Sequence, residues 1–513
     1  MATVNLDALI PREDFEVQGH NISQQLVNTL TATGLNKGEF FYSSLRKPDF
    51  QRETADWDKI KIKDFINSFL DGDLIPSIIL WNAGHYTFVI DGAHRLSALI
   101  AWVNDDYGDG ILSQEFFNNE IDPEQKAIAE QTRRLIEKDI GSYKGFMEAV
   151  RNPSEANQEK LNKAQKLGFL SVHLQWVQGD AEKAENSFFK INEKSTPISD
   201  TEKALLKSRK KPYALASRAI MRAGTGHKYW SHFSQKIKED IVTIAKEINE
   251  SLFTPDTKTP IKTLDLPLAG KNYSSKTLPL IFDLVKLSNN VLKGEINNDT
   301  DGKTTTKYLR RTNKVIRRFT TTHPSSLGLH PAIYFYSEQG RYQPTAFMAW
   351  IEIIKEYENK KQFNSFTDIR EKFENYILKR KNITNQVTGK YGSGLKGYKQ
   401  LKELYIFIID AIKDGNITLD SIDNCINKNE KFQFLKLSDF GEKSKNSTFS
   451  SNSKSEVFLR NAIKNAPKCK ICGGFVHVNS ISIDHIKRKQ DGGLGNADNG
   501  QLTHPYCNTT YKN

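Results

Sequence analysis

The chain has 513 residues, 38% of them hydrophobic and 26% charged, and its 73 Lys and Arg against 61 Asp and Glu give a formal net charge of +12. That length exceeds one hydrophobic core and calls for about two to four domains; no run of about 18 apolar residues occurs, which excludes a spanning helix. The basic balance favours an anionic partner, nucleic acid being the commonest, and without a basic-then-apolar leader after Met1 a cytoplasmic location is expected.

From about residue 40 to 210, strands and helices alternate. Pro48-Asp49-Phe50-Gln51-Arg52 leads through Trp57 into a predicted helix carrying Ile60, Phe65, Ile66, Phe69 and Leu70, which Gly72 should end. Two predicted strands, residues 75–81 and 86–90, flank a predicted turn at 82–85. The second strand runs into Asp91-Gly92-Ala93-His94-Arg95, and a helix should continue through Leu96, Leu99, Ile100 and Trp102. A glycine where a strand meets a helix lets backbone N–H groups approach an anion. Arg95 in the first helical turn would add a bidentate phosphate donor, and Asp91 could hold a metal ion or a ribose hydroxyl. The same residues also fit an ordinary β-turn-α junction in which the arginine pairs with a nearby carboxylate.

Gln51-Arg52 upstream, with Asp91-Gly92-x-x-Arg95-Leu96 downstream, resembles the GmrS N-terminal family within the ParB/sulfiredoxin superfamily. The segment Phe189-Lys190-Ile191-Asn192, continuing through Pro197-Ile198-Ser199 to Glu202, is similar to that family's F-x-x-x-N and P-L-S-x-x-E stretch. The resemblance covers about residues 40 to 210. It implies a nucleotide-binding domain, often NTP-hydrolysing, of a kind that recurs in restriction enzymes attacking modified phage DNA. Gln51, Arg52, Asp91, Gly92, His94 and Arg95 are the implied nucleotide contacts. Where the family reads D-G-Q-Q-R, this chain has Ala93 and His94, closer to the G-x-x-R-x-x-A box of ParB. Hydrolysis and the choice of base therefore stay open.

Residues 211–440 read as mainly helical, with apolar residues at helical spacing over 278–292 and 401–412. Lys307, Arg310, Arg311, Lys314, Arg317 and Arg318 recur on one predicted helix face, opposite Leu309, Val315, Ile316 and Phe319. Such a stripe suits either a duplex backbone or plain solvation. Residues 389–394 lack P-loop spacing and read as a loop. Residues 441–455, rich in Ser, Asn and Lys, are expected to be a flexible tether to a separate C-terminal module at 456–513.

That module holds Cys469-Lys470-Ile471-Cys472-Gly473-Gly474, Asp484-His485, Gly492-Gly493, Asn499, and His504-Pro505-Tyr506-Cys507-Asn508. The C-x-x-C knuckle and the x-x-spaced His504 and Cys507 supply four ligands for a structural zinc, with His477 a rival for the fourth place. A carboxylate at Asp484 suits a hard ion such as magnesium, a neutral imidazole at His485 suits a general base, and Asn508 could be a second oxygen ligand.

In order and spacing these residues resemble an HNH endonuclease of the zinc-containing ββα-metal family. The resemblance implies that His485 is the base, that Asp484 and Asn508 hold the catalytic metal, and that Asn499 pins the loop aiming His485. Eight Lys or Arg against four Asp or Glu in residues 455–513 agree with phosphate contact.

The expected whole is an α+β multidomain protein: a ParB/sulfiredoxin-like α/β domain over 1–210, a helical middle, the tether, and the small zinc-bound nuclease domain. It should be a DNA endonuclease that a nucleotide regulates and that defends against phage. A ParB-like DNA-binding regulator with a zinc ribbon, and an HNH toxin acting on host DNA or RNA, are the rivals. Which DNA modification or nucleotide is read, and whether the chain forms an oligomer, stay open.

Overall fold

Strands β4 (Ile78–Ala83) and β5 (Tyr86–Asp91) are apolar almost without interruption, the pattern of a sheet covered on both faces. One face places Leu80 and Val89 against Ile62, Ile66, Leu96 and Leu99 of two helices, Lys59–Asp71 and Ala93–Asn104. The other packs Trp81, Phe88 and Ile90 against Ala184 and Phe188 of the helix Ala181–Lys194. The computed structural model describes residues 3–13, 26–48, 51, 54–117, 119, 121, 123–194, 204–205, 207–224, 230, 232–272, 277–291, 296–437 and 448–512. Internal contacts divide the chain into two compact units, the first essentially Met1–Arg209 and the second Lys210–Gly224 with Trp230–Asn513. The whole is α+β.

The first unit is built on a six-stranded mixed sheet of order β1-β3-β5-β4-β6-β2, whose other members are β1 (Arg12–Glu13), β2 (Thr29–Thr31), β3 (Leu45–Pro48) and β6 (Ser171–Val177). β1, β3 and β5 run parallel, so their carboxyl ends share one edge of the sheet. β4 runs antiparallel to β5 and begins at that same edge. The hairpin turn is shorter than expected, because Asn82 and Ala83 still pair with Thr87 and Tyr86, leaving Gly84 and His85 to turn. β4 starts only after Pro76, which has no N–H to give a ladder. The helix Lys59–Asp71 is capped by the Asp58 side chain and ended by Gly72 at φ 76°, while Ile60 lies outside its buried face.

The second unit is helical around a small hairpin. Its aromatic core centres on Trp350, whose ring lies 5.0 to 5.8 Å from those of Tyr334, Phe366 and Phe373. The predicted helices appear as Thr277–Ser288 and Tyr398–Lys413. Residues 389–391, read as loop, instead end the helix Asn382–Tyr391, and the chain turns at Gly392. The cationic stripe lies on the helix Lys303–Ile316 and just beyond, but four of its six charges face carboxylates. Arg310 meets Asp240, Arg317 meets Glu247, and Lys314 and Arg318 share Glu358. Much of that face is thus committed to helix–helix ion pairs.

Residues 441–447 of the expected tether lie outside the described residues. Residues 451–455 correct it, because they open a helix, Ser451–Lys464, capped by Ser450. Its Ser455 is buried and accepts from Ile261 N at 3.0 Å. The C-terminal residues share one compact unit with the helices before them. No helix among the described residues is long and apolar enough to cross a membrane.

Candidate functional site

Cys469, Cys472, His504 and Cys507 are all buried, and their ligand atoms lie within 4.8 Å of one another. A tetrahedral zinc with Zn–S of about 2.3 Å and Zn–N of about 2.0 Å sets ligand–ligand edges of about 3.5–3.8 Å. Here His504 Nδ1 stands 3.4 Å from Cys472 Sγ and 3.8 Å from Cys507 Sγ. His504 Nε2 faces the Phe475 carbonyl at 3.0 Å, and since a carbonyl only accepts, Nε2 carries the proton and Nδ1 keeps its lone pair. Burial and the Arg370 guanidinium hold His504 below the usual imidazole range, which keeps it neutral. The three thiols hydrogen-bond one another at close range, which pushes Cys469 down and Cys472 and Cys507 up. The donors therefore fit zinc. His477, the rival ligand, lies outside this cluster: its Nδ1 accepts from Asn479 N at 3.2 Å and its ring stands edge-on to His330.

The cluster is locked to the helices before it. Arg370 and Glu374, on the helix Phe363–Lys379, form a buried ion pair at 2.7 Å. Arg370 also donates to the Leu327 and Gly328 carbonyls, and Glu374 accepts from Tyr334 Oη and Phe475 N, both at 2.7 Å. The fit is tight: a Cβ on Gly474 would stand 2.4 Å from Arg370 Nε, and one on Gly328 would stand 2.3 Å from His504 Cδ2.

Beside the cluster, β7 (Ser482–His485) pairs antiparallel with β8 (Gly500–Thr503), and a helical turn, Cys507–Tyr511, follows. Asp484 and His485 end β7 on opposite faces. Asp484 is buried and its Oδ2 accepts from Gln501 Nε2 at 2.8 Å and Lys512 Nζ at 2.5 Å. Burial opposes its ionisation, but the hydrogen bonds from Lys512 and Gln501 prevail and hold it below the usual carboxylate range. Lys512 Nζ also reaches His485 O at 2.9 Å. Asn508 donates through Nδ2 to Ser482 Oγ at 2.8 Å and Ile483 O at 3.2 Å, so Oδ1 is the atom it would offer a cation. Asp484 and Asn508 are thus both tied to the short strand β7, and each carries a side-chain oxygen of the kind a divalent ion takes. Asn499 brackets the chain after His485, accepting from Lys487 N at 2.7 Å and donating to Lys487 O at 3.1 Å. The glycine pair has its own reason: Gly492 has φ 79°, and a Cβ on Gly493 would stand 1.9 Å from Lys487 O.

At the sheet edge of the first unit, Gly92 takes φ 93° at the start of the helix Ala93–Asn104. Arg95 turns back to Asp91 Oδ2 at 2.6 Å and to the Pro76 and Ser77 carbonyls. Of the two sequence readings, the ion-paired junction is the arrangement present. His94 stacks on Trp57 at 5.8 Å and lies 3.7 Å from Asp56. Gln51, just past the carboxyl end of β3, is buried, and its Oε1 has no hydrogen-bond partner among the described residues. Arg52, and residues 195–202 of the second motif, lie outside the described residues.

A family model for the GmrSD restriction endonuclease N-terminal domain matches residues 34–209, and one for HNH endonucleases matches 469–513. The chain joins a GmrSD-type N-terminal domain to an HNH endonuclease domain. It is a restriction-type nuclease, and DNA is its substrate class. Neither a curated protein nor a solved structure matches it.

Sequence motifs did not reveal the residues that hold these sites. For the HNH domain they are Gln501 and Lys512, which fix Asp484, and, outside it, Arg370, whose position nearly 100 residues upstream gave no local signal. In the first unit Asp7 Oδ1 accepts from Arg12, from Lys47 at 2.7 Å and from Thr54 N at 3.1 Å. All four residues are buried, and they anchor the two ends of the segment that carries Gln51.

Proposed function

We infer that this nuclease hydrolyses DNA phosphodiester bonds at the end of β7, with His485 as the general base. The reading is supported by the buried Asp484 next to His485 in β7 and by Asn508 bonded to the same strand, beside a Cys3His cluster. Asp484 and Asn508 would hold a divalent ion such as magnesium, which supplies charge stabilisation at the phosphate when bound. His485 would take a proton from the attacking water, and Asn499 keeps the segment after it in place. Zinc at Cys469, Cys472, His504 and Cys507 is structural. His485→Ala should abolish plasmid nicking in magnesium while zinc content and melting stay as in the parent. Cutting by the purified variant at the parental rate would defeat the assignment.

The GmrSD-type domain would be a nucleotide-binding sensor that gates cutting, with Gln51, Arg52, Asp91, Gly92, His94 and Arg95 as its contacts. The positive-φ glycine at a strand–helix junction and the buried Gln51 Oε1, which has no hydrogen-bond partner among the described residues, support this reading. A nucleotide phosphate would have to draw Arg95 from Asp91, which makes that ion pair the natural switch. The restriction substrate would be phage DNA, including modified DNA. Comparing cleavage of modified and unmodified phage DNA, with and without each nucleotide, tests both halves.

A further inference from the structure

The loop from β7 to β8, residues 486–499, holds one shape through its own bonds. Asp491 N and Gly493 N donate to the Arg488 carbonyl at 2.9 and 3.0 Å. Asn496 Oδ1 accepts from Asn499 N at 3.1 Å. The Asn499 amide that grips Lys487 also donates to Leu494 O at 2.8 Å. A Cβ on Gly493 would stand 1.9 Å from Lys487 O, so the backbone closes tightly on itself just before the next side chain.

That next side chain is Leu494, 71% exposed, in the run Gly492-Gly493-Leu494-Gly495. Ile483 and Ile486, 59% and 58% exposed, lie on either side of His485 in sequence. A single exposed leucine on a soluble surface is ordinary. This one is fixed on a braced loop rooted at the proposed base. The loop also carries three successive exposed cations, Lys487, Arg488 and Lys489, against two exposed acids, Asp491 and Asp498. Cations beside a protruding aliphatic group fit one partner in particular. The phosphates of a duplex meet the lysines and arginine, and the apolar group enters between bases, where it leaves water and opens the groove.

We propose that Leu494 is a wedge that unstacks one base step of the duplex on which His485 acts. The inference rests on the nuclease reading above and adds a distortion of the substrate to it. The rigid loop matters, because a side chain on a mobile loop would be pushed aside by the stack instead of parting it.

The test uses permanganate, which oxidises unstacked thymines, on a short duplex bound by the full-length His485→Ala chain. Thymines inside the protected stretch should react several-fold faster than in free duplex. Adding Leu494→Ala should remove that enhancement while the protein still binds. Leu494→Lys, which adds charge and removes the apolar group, should bind at least as well and equally fail to unstack. With His485 restored, Leu494→Ala should lower kcat/KM on intact duplex about tenfold, or about 1.4 kcal/mol. The loss should shrink on a duplex already unstacked by a mismatch at the cut site. Unchanged permanganate reactivity and cleavage in Leu494→Ala would overturn the wedge, as would bound duplex showing no reactive thymine. A parent chain that neither binds nor cuts DNA would overturn the nuclease reading and take the wedge with it.

Discussion

Replacing Arg370 by Met tests how the HNH domain is held. The arginine is 2% exposed, pairs with Glu374 at 2.7 Å, donates to the Leu327 and Gly328 carbonyls, and stands 3.3 Å from His504 Nδ1. Methionine fills much of the volume but leaves Glu374 buried without its cation and two carbonyls without donors. Removing one partner of a buried ion pair costs about 3–5 kcal/mol. In a folding unit of this size each kcal/mol lowers Tm by about 2–3 °C, so the melting of the second unit should fall by roughly 6–15 °C. Zinc should also leave more readily, since Arg370 faces the ligand cluster and offsets its negative charge. Adding Glu374→Met should recover part of the loss, because the stranded charge goes too, although Tyr334 Oη and Phe475 N then lose their acceptor. The assay is thermal unfolding followed by tryptophan fluorescence, with zinc release read by a chromogenic chelator. An Arg370→Met chain that melts with the parent and keeps its zinc against the same chelator would refute this account of the docking.

Cys469→Ser should lose zinc and loosen the C-terminal residues, while the sheet of the first unit keeps its protection; hydrogen exchange separates the two. Equal zinc content in variant and parent would refute the ligand assignment. Asp283, with its carboxyl pushed up to about 6 by burial, binds protons more strongly folded than unfolded. Its contribution is therefore complete below about pH 4 and lost as pH rises through about 6. Asp283→Asn should leave stability nearly unchanged below pH 4 and raise it by roughly 3 kcal/mol at pH 8, checked by urea unfolding at both. Arg95→Ala should lose nucleotide binding, measured by calorimetry, together with any nucleotide dependence of cleavage. Equal cleavage by parent and variant, with and without nucleotide, would leave the GmrSD-type domain without a sensing role.

The two ends of the chain were legible because their chemistry is written in short spacings. Cys469 and Cys472 are three residues apart, and so are His504 and Cys507, so each pair needs only a local turn to face one ion. Gly72 ending a helix and Gly92 opening one are equally local, each set by its own φ. The fate of the charges was not legible. Lys307, Arg310, Arg311, Lys314, Arg317 and Arg318 form a face by helical period, but whether that face meets water depends on Asp240, Glu247 and Glu358, which only the tertiary fold brings near. Arg95 shows the same limit at shorter range: its spacing fits a phosphate donor, yet Asp91 four residues earlier is close enough to claim it.

The independence of the HNH domain is where the sequence misleads most, and the reason is physical. A zinc knuckle followed by a two-stranded hairpin has few side chains to bury, so composition suggests a module closed by its metal alone. Ile481, Ile483 and Ile486 are indeed each more than 40% exposed, so the hairpin builds little core of its own. The missing half comes from elsewhere: Glu374 takes Phe475 N, Arg370 faces His504, Asn364 takes Tyr506 Oη at 2.6 Å, and Ser326 meets Ser480 at 3.0 Å. Each is a polar group that needs a partner once buried, and each finds it on the preceding helical body or its loops. Zinc and helices therefore complete one folding unit together. It follows that residues 448–513 made alone should bind zinc more weakly than the full chain and lack a cooperative melt, even in zinc-replete buffer. A fragment that melts cooperatively and nicks plasmid at the full chain's rate would show that the hairpin and its metal suffice.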